Sequence, residues 1–269
     1  MKRFLAIILA GLMLLSLAAC GGKDEGVLKS GTLELGSTGG YIEHLNETIL
    51  ASLNQKIEHT NYNNLSTALL DLESGKIDFL SCGQTTADYV IAHNDKFEAA
   101  PKNATSNYSM MTMDSNTEVY NILNNAIKAM KEDGTLDKLI ENELKAYIAN
   151  EPVAKDLPKF EGARIIKVGI TGDIPPMDFV ASNGKAAGFN IALLTEIANR
   201  AQVNFELVQI ESSARPISLS SGKVDVVFWA KNVTCGCCSQ TFKEEVANTV
   251  LTESYYSDVN VQLRLKSAK

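Results

Sequence analysis

Apolar positions along this chain follow helical and strand rhythms in turn, and one short phrase closes two of the helical stretches. Leu65, Ala68, Leu69 and Leu72 stand at helical spacing ahead of LESGKID (Leu72 to Asp78). There Ser74-Gly75 is a helix stop, and Ile77, Phe79 and Leu80 read as a buried strand. The phrase returns as LSSGKVD (Leu219 to Asp225), with Ile217 and Leu219 before Ser221-Gly222 and Val224, Val226, Val227 and Phe228 after it. Two helix–glycine–strand units so far apart predict two similar α/β lobes. A cleft between such lobes is a common place to hold a small molecule.

The remaining pattern fits that frame. Thr32 to Gly36 and Lys56 to Thr60 read as strands, and Gly40 to Leu53 and Thr85 to His93 as helices. Asn107 to Met113 is a strand leaving the first lobe. Two amphipathic helices follow, Val119 to Met130 and Thr135 to Ile148, split by Asp133-Gly134. Residues 150–163, with Pro152 and Pro158, read as a linker. Beyond it come a buried strand (Ile165 to Ile170), a proline-stiffened loop (Thr171 to Phe179), an Asn183-Gly184 turn and a helix from Ile191 to Ala201. A strand (Asn204 to Ile210), the second phrase, a cysteine-rich loop, a short helix over Phe242 to Ala247 and a strand from Ser257 to Lys266 complete the reading.

The first residues change the expected address. Lys2 and Arg3 precede an apolar stretch from Phe4 to Ala19 that ends in Leu17-Ala18-Ala19-Cys20, the layout of a secretory signal and too short for a membrane span. Removing residues 1–19 takes Lys2 and Arg3 with it and moves the formal charge from −7 to −9. An acidic chain of ordinary composition argues against nucleic acid as a partner. Residues 20–26 read as a tether, 27–106 as lobe 2, 107–149 as a crossover strand and helices packing on lobe 1, and 164–269 as lobe 1.

Several segments carry a resemblance. Val168 to Val208 resembles the usual start of the mature domain in the family 3 extracytoplasmic solute-binding proteins, a type II periplasmic-binding fold serving ABC importers. Leu35 to Tyr41, LESGKID and Asp133 to Leu144 resemble that family's usual end. The resemblance implies a two-lobed α/β clamp with a hinge and an interlobe cleft, its halves in exchanged order: a circular permutation, with two truncated domains in tandem as the competing reading. Leu17 to Cys20 resembles a bacterial lipobox, which implies lipid on Cys20 and anchorage on the extracytoplasmic face of the cell membrane. Expected partners are a small polar solute and an ABC permease, with the protein itself a monomer, no cofactor and no enzyme activity. A sensor or partner-binding lipoprotein and a dehydratase-like enzyme stand as alternatives.

Ser37, Thr38 and Gly39 lie between a strand and a helix, where free N–H groups favour an anion. The resembling family binds substrate carboxylates there. By the same resemblance Asp173, Trp229, Ala230 and Asn232 match positions lining the cleft. Glu245 and Gly83 stand where an arginine and an aspartate usually hold an α-amino acid, so both charge partners are replaced. Arg215 is the candidate substitute cation. Cys82, Cys235, Cys237 and Cys238 are subordinate metal candidates, with disulfides as the rival. The Cys235 to Cys238 run is not a standard zinc pattern and has no histidine near it in sequence. His44, His59 and His93 show no spaced partner, and no catalytic constellation emerges, Asp173 and Glu245 being the sole acid candidates.

Overall fold

The computed structural model describes residues 27–33, 44, 56–181, 183–236 and 238–266, with backbone alone for 101–103. Strands β1 (Val27–Leu33) and β2 (Lys56–Tyr62) precede helix α1 (Leu65–Glu73), strand β3 (Phe79–Gly83), helix α2 (Gln84–His93) and the long strand β4 (Phe97–Met113). Helices α3 (Thr117–Glu132) and α4 (Thr135–Glu143) follow. Then come β5 (Ile165–Ile170), the short strands β6 (Asp173–Ile174), β7 (Asp178–Val180) and β8 (Ala186–Ala187), and helix α5 (Phe189–Ala201). The last stretch holds β9 (Asn204–Gln209), helix α6 (Arg215–Ser220), β10 (Val226–Cys235), β11 (Thr241–Lys243), β12 (Thr249–Leu251) and β13 (Tyr256–Leu265).

The fold is α/β, and the chain forms two compact units. Among the described residues, one holds those from Val27 to Ser106 with those of Asn232–Glu244 and Asp258–Lys266; the other holds those of Asn107–Lys231 with Glu245–Ser257. The described residues of 232–244 and 258–266, grouped with lobe 1 in the sequence reading, fall in the first unit. The reason is that β10 and β13 each run on through a unit boundary.

In the first unit β1 lies between two parallel neighbours, Ser30 facing His59 of β2 and Phe79 of β3. β13 covers the far side of β3 antiparallel, with Asn260 opposite Gly83 and Leu263 opposite Leu80. Leu28, Leu65, Leu72, Ile77, Phe79 and Leu80 fill the core beneath α1. That helix starts where Asn64 Oδ1 accepts the Thr67 amide at 2.8 Å.

In the second unit β5 is the parallel centre, Val168 facing Val226 of β10 and Leu207 of β9. β12 pairs antiparallel with β4, Val250 opposite Thr112. Helices α3, α4 and α5 pack on one another. The buried face of α5 includes Ile191, Leu194, Ile197 and Ala198, the stripe its spacing predicts.

The repeated phrase builds the same corner twice. Gly75 and Gly222 take φ of 72° and 71° after α1 and α6, a left-handed conformation that glycine adopts without Cβ strain. Asp78 then accepts the Lys29 amide of β1 at 2.8 Å, and Asp225 accepts the Lys167 amide of β5 at 2.8 Å.

Three local expectations change. The short helix expected over Phe242 to Ala247 is replaced at its start by β11. Phe242 is buried opposite Val233 while Thr241 and Lys243 are exposed, a period of two that makes a hairpin arm. The helix expected to reach Ile148 ends at Glu143 and tightens into a 3₁₀ turn over Lys145–Tyr147. β4 begins at Phe97, well before the strand expected from Asn107. Residues 1–26 and, apart from His44, the helix expected over Gly40 to Leu53 lie outside the described residues. Among the described residues no helix is long and apolar enough to cross a membrane.

Candidate functional site

The loop after β5 is organised by a carboxylate that the sequence reading passed over. Asp178 is fully buried and accepts four hydrogen bonds: from the Thr171 amide at 2.9 Å and hydroxyl at 3.1 Å, the Gly172 amide at 3.0 Å, and Trp229 Nε1 at 3.4 Å. Burial pushes the Asp178 carboxyl above its ordinary value, and these donors pull it back. The N-terminus of α5 closes the other side, Phe189 and Asn190 amides bonding to the Pro176 and Met177 carbonyls at 3.1 and 2.9 Å. At Gly188, with φ of 98°, a Cβ would stand 2.6 Å from the Pro176 oxygen, so only glycine fits. That helix end is occupied by the protein's own loop. Asp173, the predicted contact, sits half-buried at the start of β6, paired with Phe179.

Trp229, Ala230 and Arg215 gather in the same unit, beside Asp178. Trp229 is 2 % exposed, meets Tyr108 edge to face at 5.5 Å between centroids, and holds φ of 70°. Positive φ in a bulky residue is strained, and such strain concentrates at functional positions. Ala230 packs with Met111, Ile210, Leu219, Val224 and Val227 in a hydrophobic cluster. Arg215 is not a solvent-facing cation. It is 2 % exposed and donates to the Ser212 carbonyl at 3.2 Å and the Phe228 carbonyl at 2.9 Å, which places its charge behind the Trp229 backbone. Asn232 belongs to the first unit, opposite Lys243 in the β10–β11 hairpin, with its Oδ1 buried and without a hydrogen-bond partner among the described residues. Asn190, in the second unit, has both amide atoms in that same condition, and only its place in a helix start was visible in sequence.

Ser37, Thr38 and Gly39 lie outside the described residues, as do Cys20 and Cys237. Glu245 is exposed, and Gly83 is the residue before α2. A surface groove of about 520 Å³ lies along α3 and the end of α5, with Glu118, Asn121, Asn125 and Arg200 in its wall; none of the predicted ligand residues lines it.

The cysteines part company in the first unit. Cys82 lies buried in β3, whereas Cys235 and Cys238 flank the turn of the β10–β11 hairpin. His44, from a distant part of the sequence, reaches that turn. Its Nε2 lies 3.5 Å from Cys238 Sγ, and its ring sits 5.0 Å from that of Phe242. The ligating atoms of His44, Cys235 and Cys238 all fall within 4.8 Å of one another. Sequence reasoning found the thiols and missed the imidazole, since nothing local in the chain announces a partner 194 residues away.

Solved structures with a similar chain trace include the ligand-binding component of an ABC-type import system from Staphylococcus aureus with zinc bound. It is 13 % identical at a TM-score of 0.46, over 88 % of this chain and 66 % of that one, so this chain spans just under two thirds of its length. An ancestral arginine-binding protein bound to arginine is 14 % identical at 0.43, over 92 % and 87 % of the two chains. The ligand-binding core of GluR0 in complex with L-glutamate is 10 % identical at 0.44, over 91 % and 87 %. Among curated proteins, none matches this chain. The segment that carries β5 through β10, residues 166–236, matches the family model of the bacterial extracellular solute-binding proteins, family 3.

Proposed function

We propose that this protein is an extracytoplasmic binding protein that captures a small polar solute for an ABC importer, tethered to the membrane through lipid on Cys20. The match of residues 166–236 to the solute-binding family carries this reading. That segment contains the Asp178-braced loop and the strained Trp229. The buried amide of Asn190, without a hydrogen-bond partner among the described residues, suits a polar rather than an apolar guest, because such a group is costly to bury unpaired. The enzyme reading is not favoured: of its two acid candidates, Glu245 lies exposed to solvent.

The exchanged order of the halves remains part of the proposal, supported by the first unit's sheet. β1 and β13 flank β3, and their registers bring the start of β1 and the end of β13 to the same end of that strand. They are two strand spacings apart, about 10 Å. An ancestral chain would have run straight on from β13 into β1.

The test is heat denaturation of the purified full chain against amino acids, amines and organic acids. A cognate solute at a hundredfold its Kd adds about 2.7 kcal/mol, a rise in Tm of about 5–10 °C for a chain of this size. Asp173→Ala or Asn232→Ala should remove most of that rise. A chain reopened within residues 150–163 and joined from Leu265 to Val27 through a flexible linker of about four residues should show the same rise. No shift with any class of solute overturns the binding role, and a reopened chain that cannot fold overturns the permutation.

A further inference from the structure

We propose that His44, Cys235 and Cys238 form a binding site for one thiophilic d¹⁰ cation, Zn²⁺ or Cu⁺, built on the β10–β11 hairpin. The proposal does not rest on the solute-binding reading, since none of the three residues is among those that reading assigns to the solute.

The hairpin presets the thiols. β10 and β11 pair through Asn232–Lys243, Val233–Phe242 and Thr234–Thr241, and the Thr234 and Thr241 hydroxyls meet at 3.1 Å. The turn is closed by the Cys235 amide on the Gln240 carbonyl at 2.9 Å and the Ser239 amide on the Cys235 carbonyl at 2.8 Å, with Ser239 at φ 59°. The run is no complete zinc pattern by itself, but its two-residue separation of Cys235 and Cys238 supplies half of one, and His44 adds a third donor from far along the chain. Cys235 is 4 % exposed and shares an apolar cluster with Ala104, Val233 and Phe242, while Cys238 is exposed. One thiol therefore stands on a dry floor and the other at the entrance.

The distances suit tetrahedral coordination. With metal–sulfur and metal–nitrogen bonds of about 2.3 and 2.05 Å, sulfur and nitrogen ligands sit about 3.6 Å apart and two sulfurs about 3.8 Å. The observed Cys238 Sγ to His44 Nε2 separation is 3.5 Å, and no pair in the trio exceeds 4.8 Å. Contact with Phe242, itself buried in the hairpin, helps orient the His44 ring. Two thiolates and an imidazole with no carboxylate select soft cations over Mg²⁺ and Ca²⁺. Three protein ligands leave a fourth position for water or an added donor. Binding deprotonates both thiols, so each ion taken up releases protons.

The experiment titrates the fully reduced, anaerobic full chain with Zn²⁺, Cu⁺ and, as a reporter, Co²⁺, against chromophoric chelators. One equivalent of Zn²⁺ or Cu⁺ should bind, and Co²⁺ should develop thiolate charge-transfer absorption. Cys238→Ser, an exposed change that leaves the hairpin core intact, should weaken binding by more than about tenfold and remove that absorption, and His44→Ala should weaken it by a similar factor. His93→Gln, an exposed imidazole on another helix, should bind as the parent does. Failure to bind either ion overturns the proposal, as does unchanged affinity in both Cys238→Ser and His44→Ala.

Discussion

The two corners built by the repeated phrase agree in their backbone and part in what they carry. Leu72 and Leu219 are both buried, at 2 % and 1 % exposure, while Leu70 and Ile217, two positions earlier, are both exposed, at 66 % and 65 %. The two helices end with the same pair of amide bonds: Ser74 to the Leu70 carbonyl and Gly75 to that of Leu72 in one, Ser221 to Ile217 and Gly222 to Leu219 in the other. The helix face then diverges. Ala68, fully buried, corresponds to Arg215, whose guanidinium reaches the carbonyl of Phe228. Asp71, paired with Lys76 and Tyr62, corresponds to the buried Ser218. At the strand exits Cys82 corresponds to Trp229, the residue at positive φ beside Asp178. The turn and the strand entry are geometry shared by both lobes. The helix face and the strand exit are where one copy has been put to special use.

The largest test of the shared part is truncation of its two leucines. Leu72→Ala and Leu219→Ala should each cost about 2–5 kcal/mol in denaturant unfolding, from lost burial and the cavity left behind. A cost below about 1 kcal/mol in one copy alone would break the equivalence. Next come Gly75→Ala and Gly222→Ala. Open space surrounds the Gly222 position, so the penalty there is backbone strain alone, about 1–2 kcal/mol, and Gly75 at the same φ should match it.

The smallest effect separates the copies by pH. The Lys76 ammonium, then the Tyr62 hydroxyl, hold the Asp71 carboxyl below its ordinary value of 3.8. A lowered carboxylate contributes stability that is complete above that unfolded value and is lost as pH falls through the folded one. Parent protein should therefore lose stability more steeply than Asp71→Asn below pH 3.8, whereas Ser218→Ala should leave the acid limb unchanged. Identical acid limbs for parent and Asp71→Asn would show that the exposed ion pair adds nothing.

Much of this was legible in one dimension because it is local. Helix spacing, the serine–glycine stop and the apolar run behind it are set within about ten residues, and both corners form where the phrase places them. The hairpin arm at Phe242 was misread for the converse reason: its period of two becomes meaningful only once Val233 lies across from it. Asp173 was named from a resemblance, but the hub of that loop is Asp178, whose four donors come from both the loop and β10. Arg215 is the substitute cation that the sequence offers for a ligand, and the carbonyls of Ser212 and Phe228 hold its guanidinium inside the unit.

The amino-acid sequence by itself determined the alternation of helices and strands, the two matching corners and the thiol-bearing turn, because each depends on near neighbours and on the conformations glycine, proline and apolar side chains permit. Only the tertiary structure decided which distant groups meet. Trp229 comes to Asp178 across 51 positions, and His44 to Cys238 across 194. Such pairings follow from how strands order themselves to bury a common core, a property of the whole packed chain that no local stretch encodes.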